Sequence, residues 1–270
     1  MCPAANGEIH SEWLNGMLRY YDSYTAETID VVVPSKLFEE FQLAAAAYNI
    51  PSLTLGVTSA SDTIGIGMVI PPPWLFTGVN SASMAVVNTA NGVLTLGVGA
   101  ADLDDVEFAS SLIFAASRNC SAEARIAFST TLVAMAFGFS DATSENADTL
   151  AMTFDTVTLT TTASNAALIF FDSAATSDVV RACSVKADAD GTTKTTTTAM
   201  DTNYHIYRVD VDSTGGITYW MDGVSLGTQT AGITTSTPLC VYLGVARRGA
   251  GTTGVLARVD YIRAWQGRDL

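Results

Sequence analysis

The chain has 270 residues, which is long for one average domain but normal for a single β-sandwich or barrel. Hydrophobic residues make up 48% and charged residues 15%, so a large core can form and extensive disorder is excluded. The net charge of -14 argues against nucleic acid as a partner, because phosphate contacts need clustered Lys and Arg. This acidity suits either simple solubility or docking onto a basic surface of another protein.

No apolar run reaches the roughly 18 residues that a transmembrane helix needs. The first residues also lack the basic start and apolar centre of a secretion signal. We therefore expect neither a membrane partner nor export.

Residues 1–80 differ in pattern from the rest and are predicted to form an N-terminal arm. Ser11 can cap a helix, although residues 18–22 are equally typical of a strand. A second helix is predicted after Ser35, and Pro51 would stop it. Its apolar face would comprise Leu37, Phe38 and Phe41.

The arm carries large apolar side chains that so short a segment can hardly bury by itself. Such residues either fold back onto the following domain or contact a partner. The candidate partner-binding residues are Trp13, Leu14, Met17, Tyr20, Tyr21 and Trp74.

Residues 81–270 show the two-residue alternation of β-strands, separated by Gly, Asn and Asp turn signals. This pattern predicts an all-β fold, a two-sheet antiparallel jelly-roll sandwich, preceded by an N-terminal extension of mixed short helix, strand and extended segments. Strands are predicted at 92–99, 111–117, 124–129, 132–141, 150–160, 166–173, 179–188, 204–212, 217–222, 239–247 and 255–265.

The segment 204–230 is predicted to be a hairpin with one buried and one solvated face. Its buried face would hold Tyr207, Val209 and Val211, followed after the Gly-Gly turn by Ile217, Tyr219 and Met221. Its solvated face would hold Arg208, Asp210 and Asp212, followed by Thr218, Trp220 and Asp222.

The four cysteines are widely spaced and are expected to be free, buried thiols. We expect no metal and no cofactor. Ca²⁺ is the alternative, with oxygen ligands supplied by Asp188 and Asp190 or by Asp141 and Glu145.

Four motifs in order resemble a known superfamily: "AFGFSDA" (136–142), "LIFFDSAATSDVVRACSVKADADGT" (168–192), the hairpin and "ARVDYIRAWQ" (257–266). They are similar to concanavalin-A-like and laminin-G-like jelly rolls. More narrowly, they resemble tailed-phage virion proteins of that fold, as does "LRYYDS" (18–23).

Enzymes of this superfamily hydrolyse glycosidic bonds with two carboxylates that flank the scissile bond. The chain lacks their E-x-D-x-x-E or E-x-D-x-E motif, and its D-x-D pairs fall near predicted turns or strand ends. We therefore expect no enzyme activity and no catalytic residue.

Two non-enzymatic functions stay open. The resemblance implies a phage capsid decoration or cement protein on the virion surface, made in the host cytoplasm. The arm would bind the major capsid protein or another copy of the chain, with a trimer as the expected oligomer. The alternative is a lectin-like module for host or surface glycans, with Trp220 and Asp222 as the carbohydrate-binding residues.

Overall fold

The computed structural model describes the backbone and side chains of residues 74–80, 82–85, 93–145, 149–249, 251 and 254–267. It describes the backbone alone of residues 9–14, 17–22, 27–31, 36–40, 52–56, 64–65 and 86–87. Among helices of the described residues, none is long and apolar enough to cross a membrane.

The described part of the chain is almost entirely β-structure, with a single 3₁₀ turn at Ala116–Arg118. In chain order the strands are β1 (Ile9–Leu14), β2 (Met17–Asp22), β3 (Glu27–Val31), β4 (Lys36–Glu40), β5 (Ser52–Gly56), β6 (Ile64–Gly65), β7 (Trp74–Gly78), β8 (Ser83–Val87), β9 (Val93–Val98), β10 (Asp105–Ser110), β11 (Cys120–Phe128), β12 (Val133–Ser140), β13 (Met152–Asp155), β14 (Thr158–Thr161), β15 (Asn165–Asp172), β16 (Val179–Lys186), β17 (Ala189–Asp190), β18 (Lys194–Ala199), β19 (His205–Val211), β20 (Ile217–Met221), β21 (Val224–Gln229), β22 (Cys240–Arg247) and β23 (Val255–Trp265).

Two nine-stranded antiparallel sheets form the sandwich, which confirms the predicted fold class. Sheet I has the order β17-β16-β15-β12-β22-β10-β7-β6, with β18 also pairing with β16. Sheet II has the order β21-β20-β19-β11-β23-β9-β8-β5, with β4 also pairing with β23. The last strand of the chain therefore lies in the interior of sheet II.

The core between the sheets is built from every second side chain along the strands, the one that points inward. Sheet I contributes buried aromatics, and sheet II contributes tyrosines and aliphatic residues. Its largest members are Phe76, Phe108, Phe114, Phe128, Phe137, Phe139, Phe171, Tyr207 and Tyr219. The inward face of the hairpin is the predicted one, since Tyr207, Val209 and Val211 are buried there.

Sheet I is buried on its outer face as well. Its central strand β12 alternates large inward residues with small outward ones, such as Ala134, Ala136 and Gly138. The small residues leave room for a covering segment, residues 149–164, which includes the hairpin of β13 and β14. Met152 of this segment packs with Leu168 of β15 in a second apolar cluster.

A buried ion pair pins this covering segment to sheet I. The carboxylate of Asp172, at the end of β15, has no solvent exposure and accepts two hydrogen bonds from Arg248, at 2.8 and 2.5 Å. It also accepts backbone hydrogen bonds from Phe154 and Ala174, both at 3.0 Å. Removing the Asp172 carboxylate would leave the guanidinium of Arg248 without its partner, which lowers the stability of the fold.

The predicted helices of the N-terminal arm are wrong where the structure describes them. β1 and β2 form a hairpin in which Leu14 pairs with Met17, so the strand alternative holds for this stretch. The intervening Asn15-Gly16 is a common hairpin-turn dipeptide. Strand β4 replaces the second helix because it pairs with β23, and tertiary pairing overrides local helix propensity.

The arm is not uniform in its pairing. Strands β1, β2 and β3 form their own three-stranded sheet, whereas β4 to β7 pair with the two sandwich sheets. The boundary predicted at residue 80 stays a prediction.

Two strand predictions within the sandwich are also wrong. Residues 111–117 contain a single isolated bridge at Phe114, and the strand lies just before them as β10. All side chains of β10 are buried, including the carboxyl groups of Asp105 and Glu107. Residues 150–160 form the hairpin of β13 and β14 rather than one strand. Thr156, between the two strands, has a positive φ of 54°.

We expect Asp172→Ala to lower the free energy of unfolding by about 3–5 kcal/mol, because it strands the Arg248 guanidinium in a buried site. Chemical denaturation measures this loss. Asp178→Ala removes an exposed carboxylate from the following loop and should change stability by less than about 0.5 kcal/mol. Equal losses in both variants would contradict the assignment.

Candidate functional site

The outer face of sheet II carries a group of partly exposed aromatic and charged side chains. Four neighbouring strands supply it, in the order β20, β19, β11 and β23. Its members are Trp220 from β20, Arg208 and Asp210 from β19, Glu123 and Arg125 from β11, and Tyr261, Arg263 and Trp265 from β23.

The strand register places these side chains in one row across the sheet. Trp220 lies opposite Arg208, Arg208 lies opposite Glu123, and Glu123 lies opposite Arg263. Directly opposite residues share a face and have neighbouring Cβ atoms. The register therefore brings an aromatic ring, two guanidiniums and a carboxylate together.

Asp210 orients two members of this row. Its Oδ2 accepts a hydrogen bond from the indole Nε1 of Trp220 at 2.8 Å. Its Oδ1 accepts one from Nε of Arg208 at 2.9 Å. One carboxylate therefore holds both the half-buried indole ring and the guanidinium in place.

Glu123 is the central carboxylate of the row and is 6% exposed. Its Oε1 accepts hydrogen bonds from Tyr261 at 2.7 Å and from Nη2 of Arg263 at 2.5 Å. Burial and the hydrogen bond to the Glu123 carboxylate raise the pKa of Tyr261 to about 12, so it remains a neutral donor. The charge of Glu123 is thus compensated inside the face.

Trp265 lies between two guanidiniums. Arg208 lies 5.3 Å and Arg263 5.7 Å from the centroid of its ring, within the range of cation–π attraction. These contacts help to orient the two arginines, in addition to their carboxylate partners.

A depression of about 260 Å³ opens on this face beside Trp220. Its lining residues are Glu123, Ile206, Arg208, Trp220 and Gly223. The depression thus combines an aromatic wall with a carboxylate and a guanidinium, both held by other side chains. Such a concave site with a few fixed polar groups is typical of small-ligand binding.

The sequence predicted two carbohydrate-binding residues, and the structure separates their roles. Trp220 lies on the outer face, as the alternation predicted, and lines the depression. Asp222 is occupied by the adjacent turn, where it accepts hydrogen bonds from His205 at 2.6 Å and from the backbone N–H of Ile206 at 2.8 Å. With Gly223 it forms a two-residue turn in which both residues have positive φ.

The candidate partner-binding residues lie mostly in the backbone-only part. Trp13, Leu14, Met17, Tyr20 and Tyr21 fall in β1 and β2, whose side chains are outside the described residues.

Trp74 is the exception, and it belongs to the core. Its side chain is 2% exposed and stacks on Phe108, with ring centroids 4.7 Å apart. In this position it faces no partner.

Sequence reasoning missed Glu123, Tyr261, Arg263 and Trp265 as members of a site. The signal was present in β23, where these last three residues alternate with buried Ile262 and Ala264. What the sequence did not show is that β11 lies between β19 and β23.

The outer face of sheet I holds a second group of ionisable side chains, and it is buried. Glu107 of β10 is 3% exposed. It accepts a hydrogen bond from Tyr242 at 2.5 Å, and both of its oxygens accept the backbone N–H of Glu145, at 3.0 and 2.9 Å. Burial raises its pKa to about 8, and burial also raises the pKa of Glu145.

The D-x-D aspartates have structural partners. Asp188 accepts a hydrogen bond from Ser164, and Asp190 accepts one from Thr161. Asp210 lies near the end of its strand, as predicted, and orients Arg208 and Trp220.

Within the described residues, no group of three or more His, Cys, Asp and Glu side chains could hold a metal ion. The Ca²⁺ alternative stays a prediction. Cys120, Cys183 and Cys240 are free and buried, as predicted, and burial raises the pKa of each thiol.

No protein-family model and no curated protein matches the chain. Solved structures do match it. Bacillus licheniformis beta-glucanase is 16% identical with a TM-score of 0.52, covering 86% of this chain and 98% of that chain. The carbohydrate recognition domain of Emp47p is 9% identical with a TM-score of 0.50, covering 79% of this chain and 95% of that chain.

A protein of unknown function from Shewanella oneidensis MR-1 is 12% identical with a TM-score of 0.51, covering 80% of this chain and 86% of that chain. Identities this low establish the fold alone. The chain has the concanavalin-A-like jelly-roll fold, which enzymes and carbohydrate-recognition domains share. The virion assignment stays a prediction.

The pKa of Glu107 predicts how stability varies with pH. Its folded value of about 8 exceeds the reference value of 4.5, so the folded state retains a proton that the unfolded state releases. That contribution to stability is complete below pH 4.5 and is lost as the pH rises through about 8.

We expect Glu107→Gln, which cannot ionise, to lose less thermal stability than the unmodified chain between pH 5 and pH 9. Thermal unfolding followed by circular dichroism measures the two slopes. Asp155→Asn, at an exposed carboxylate, should leave the slope unchanged. If Glu107→Gln keeps the full slope, another group carries the pH dependence.

Proposed function

We propose that the protein is a non-enzymatic carbohydrate-binding β-sandwich whose glycan site is the outer face of sheet II. The observation that carries the proposal is the depression beside Trp220. Its aromatic wall and its charged groups are held by hydrogen bonds within the protein, so little ordering is needed when a ligand binds.

The chemistry of this depression suits a sugar. A sugar ring offers an apolar face of C–H groups, which an indole ring can cover, and a rim of hydroxyl groups that need hydrogen-bond partners. Trp220 supplies the ring, whereas Glu123 and Arg208 supply acceptor and donor groups. A volume of about 260 Å³ suits one ring rather than a long chain.

Two features favour binding without hydrolysis. Glycosidases place two carboxyl groups on either side of the bond that they cleave. Among the described residues that line the depression, Glu123 is the one carboxylate, and the nearby Asp210 is occupied by Trp220 and Arg208. Glu107 and Glu145 lie under the cover of sheet I, and Glu107 is 3% exposed.

A virion-surface role is the second candidate. It is supported by the sequence resemblance and by the pairing of β1, β2 and β3, which form a sheet separate from both sandwich sheets. Such an appended sheet suits an anchor. It would bind the major capsid protein or other copies of the chain, with a trimer as the expected assembly, and the sandwich would display the glycan site outward.

Trp220→Ala should weaken glycan binding at least about tenfold, because it removes the aromatic wall of the site. A glycan array identifies a ligand for the unmodified chain, and titration calorimetry then measures its affinity. Val157→Ala, at a residue 72% exposed on the hairpin of β13 and β14, should bind as the unmodified chain does. Equal affinities of Trp220→Ala and the unmodified chain would refute this site.

Removal of residues 1–33 should abolish oligomerisation or capsid binding and leave a folded sandwich, because β4 to β23 remain. Sedimentation of both forms, with and without candidate capsids, measures this. If both forms sediment as identical monomers and ignore capsids, the anchoring role fails while the glycan site is unaffected.

A further inference from the structure

We infer that the glycan is anionic and carries a carboxylate on the ring that covers Trp220, as a uronic or sialic acid residue does. Arg208 would bind that carboxylate. This inference rests on the proposed function, since it names the ligand class of the same site.

The first support is the charge of this face compared with that of the whole chain. The chain has a net charge of -14. The four central strands of sheet II instead carry four arginines and three acidic residues. These are Arg125, Arg208, Arg258 and Arg263, with Glu123, Asp210 and Asp260. In a strongly acidic protein, these four strands are thus close to neutral, so they repel an anion less than the average surface of the chain does.

The second support is the compensation of each acidic residue on this face. Glu123 is bonded to Arg263 and Tyr261, Asp210 to Arg208 and Trp220, and Asp260 to Arg125 at 2.6 Å. The carboxylate of a ligand therefore approaches protein carboxylates whose charge is already compensated by hydrogen-bonded partners.

The third support is the geometry of Arg208. Asp210 is bonded to its Nε, and within the described part of the chain no hydrogen bond is made by Nη1 or Nη2, so their fork can meet a ligand. The side chain is 41% exposed and lines the depression together with Trp220. A guanidinium fork matches a planar carboxylate with two parallel hydrogen bonds, a match that an ammonium group cannot reproduce.

These contacts act on two parts of one ligand. Trp220 covers the apolar face of the ring, while Arg208, directly opposite on the next strand, takes the carboxylate. Asp210 fixes the distance between the two groups, because it is bonded to both. A neutral hexose would fill the same depression but would leave the fork of Arg208 without a partner.

The test is a glycan array in which uronate- and sialate-bearing glycans are printed beside their carboxyl-reduced counterparts, with sulfated glycans as a further arm. The full chain should bind the carboxylated members about ten to a hundred times more tightly than the reduced ones, the ratio expected for a charged hydrogen-bonded pair. Sulfated glycans should bind less tightly than carboxylated ones. Titration calorimetry with the strongest pair gives the ratio.

Three variants separate the contributions. Arg208→Gln should remove the preference for the carboxylated member and retain weak binding of both. Arg208→Lys should restore only part of the preference, because it keeps the charge and loses the fork. Arg258→Gln removes the same charge from an exposed position farther along β23 and should keep the preference.

The outcomes distinguish this inference from the proposed function. If carboxylated and reduced glycans bind equally and Trp220→Ala abolishes both, the site stands and the anionic ligand is refuted. If Arg258→Gln removes the preference as fully as Arg208→Gln does, the preference is a general charge effect and the Arg208 fork is refuted. If no glycan binds, both proposals fall.

Discussion

The structure depends on the double burial of sheet I. Its central strands carry buried apolar residues on both faces, so the sheet must be covered on both sides. The cover can close only if the polar groups beneath it are paired, since each unpaired one would cost a large part of the total stability. The Asp172–Arg248 pair and the Glu107–Tyr242 bond provide this pairing. Because sheet I is closed in this way, the partly exposed polar face of the sandwich belongs to sheet II.

The outer faces of sheet I and sheet II use the same types of side chain for different purposes. Under the cover, a carboxyl and a tyrosine meet without solvent, and the pKa of Glu107 rises accordingly. On sheet II, Glu123 also meets a tyrosine, but Arg263 is added and the neighbouring residues are partly exposed. The first arrangement stabilises packing. The second maintains a charged, aromatic surface in a fixed geometry, as a recognition site requires.

Much of the fold was readable in the sequence, because alternation and turn signals report local structure. The hairpin of β19 and β20 was predicted with both faces correct, and the three buried cysteines were predicted free. The errors arose where tertiary contacts override local pattern. The strand predicted at 111–117 lies earlier in the chain as β10, where acidic side chains are buried, and β4 looks helical until β23 is beside it.

The candidate site was only partly predictable for the same reason. Trp220 could be placed on the outer face from its own strand, whereas its neighbours come from strands far away in sequence. The pairing of β11 with both β19 and β23 joins residues about the middle of the chain to residues near its end. Strand order of this kind is a property of the whole chain rather than of any segment.

The interior position of β23 also bears on biosynthesis. Its residues Val255–Val259 pair with β9, Tyr261–Trp265 pair with β4, and the whole strand lies against β11. Sheet II is therefore incomplete until β23 has been synthesised. Folding has to bring β23 to strands far earlier in the sequence, a long-range pairing that is intrinsically slow. Until then the edges of β9 and β11 are open to wrong partners, which is a risk of aggregation.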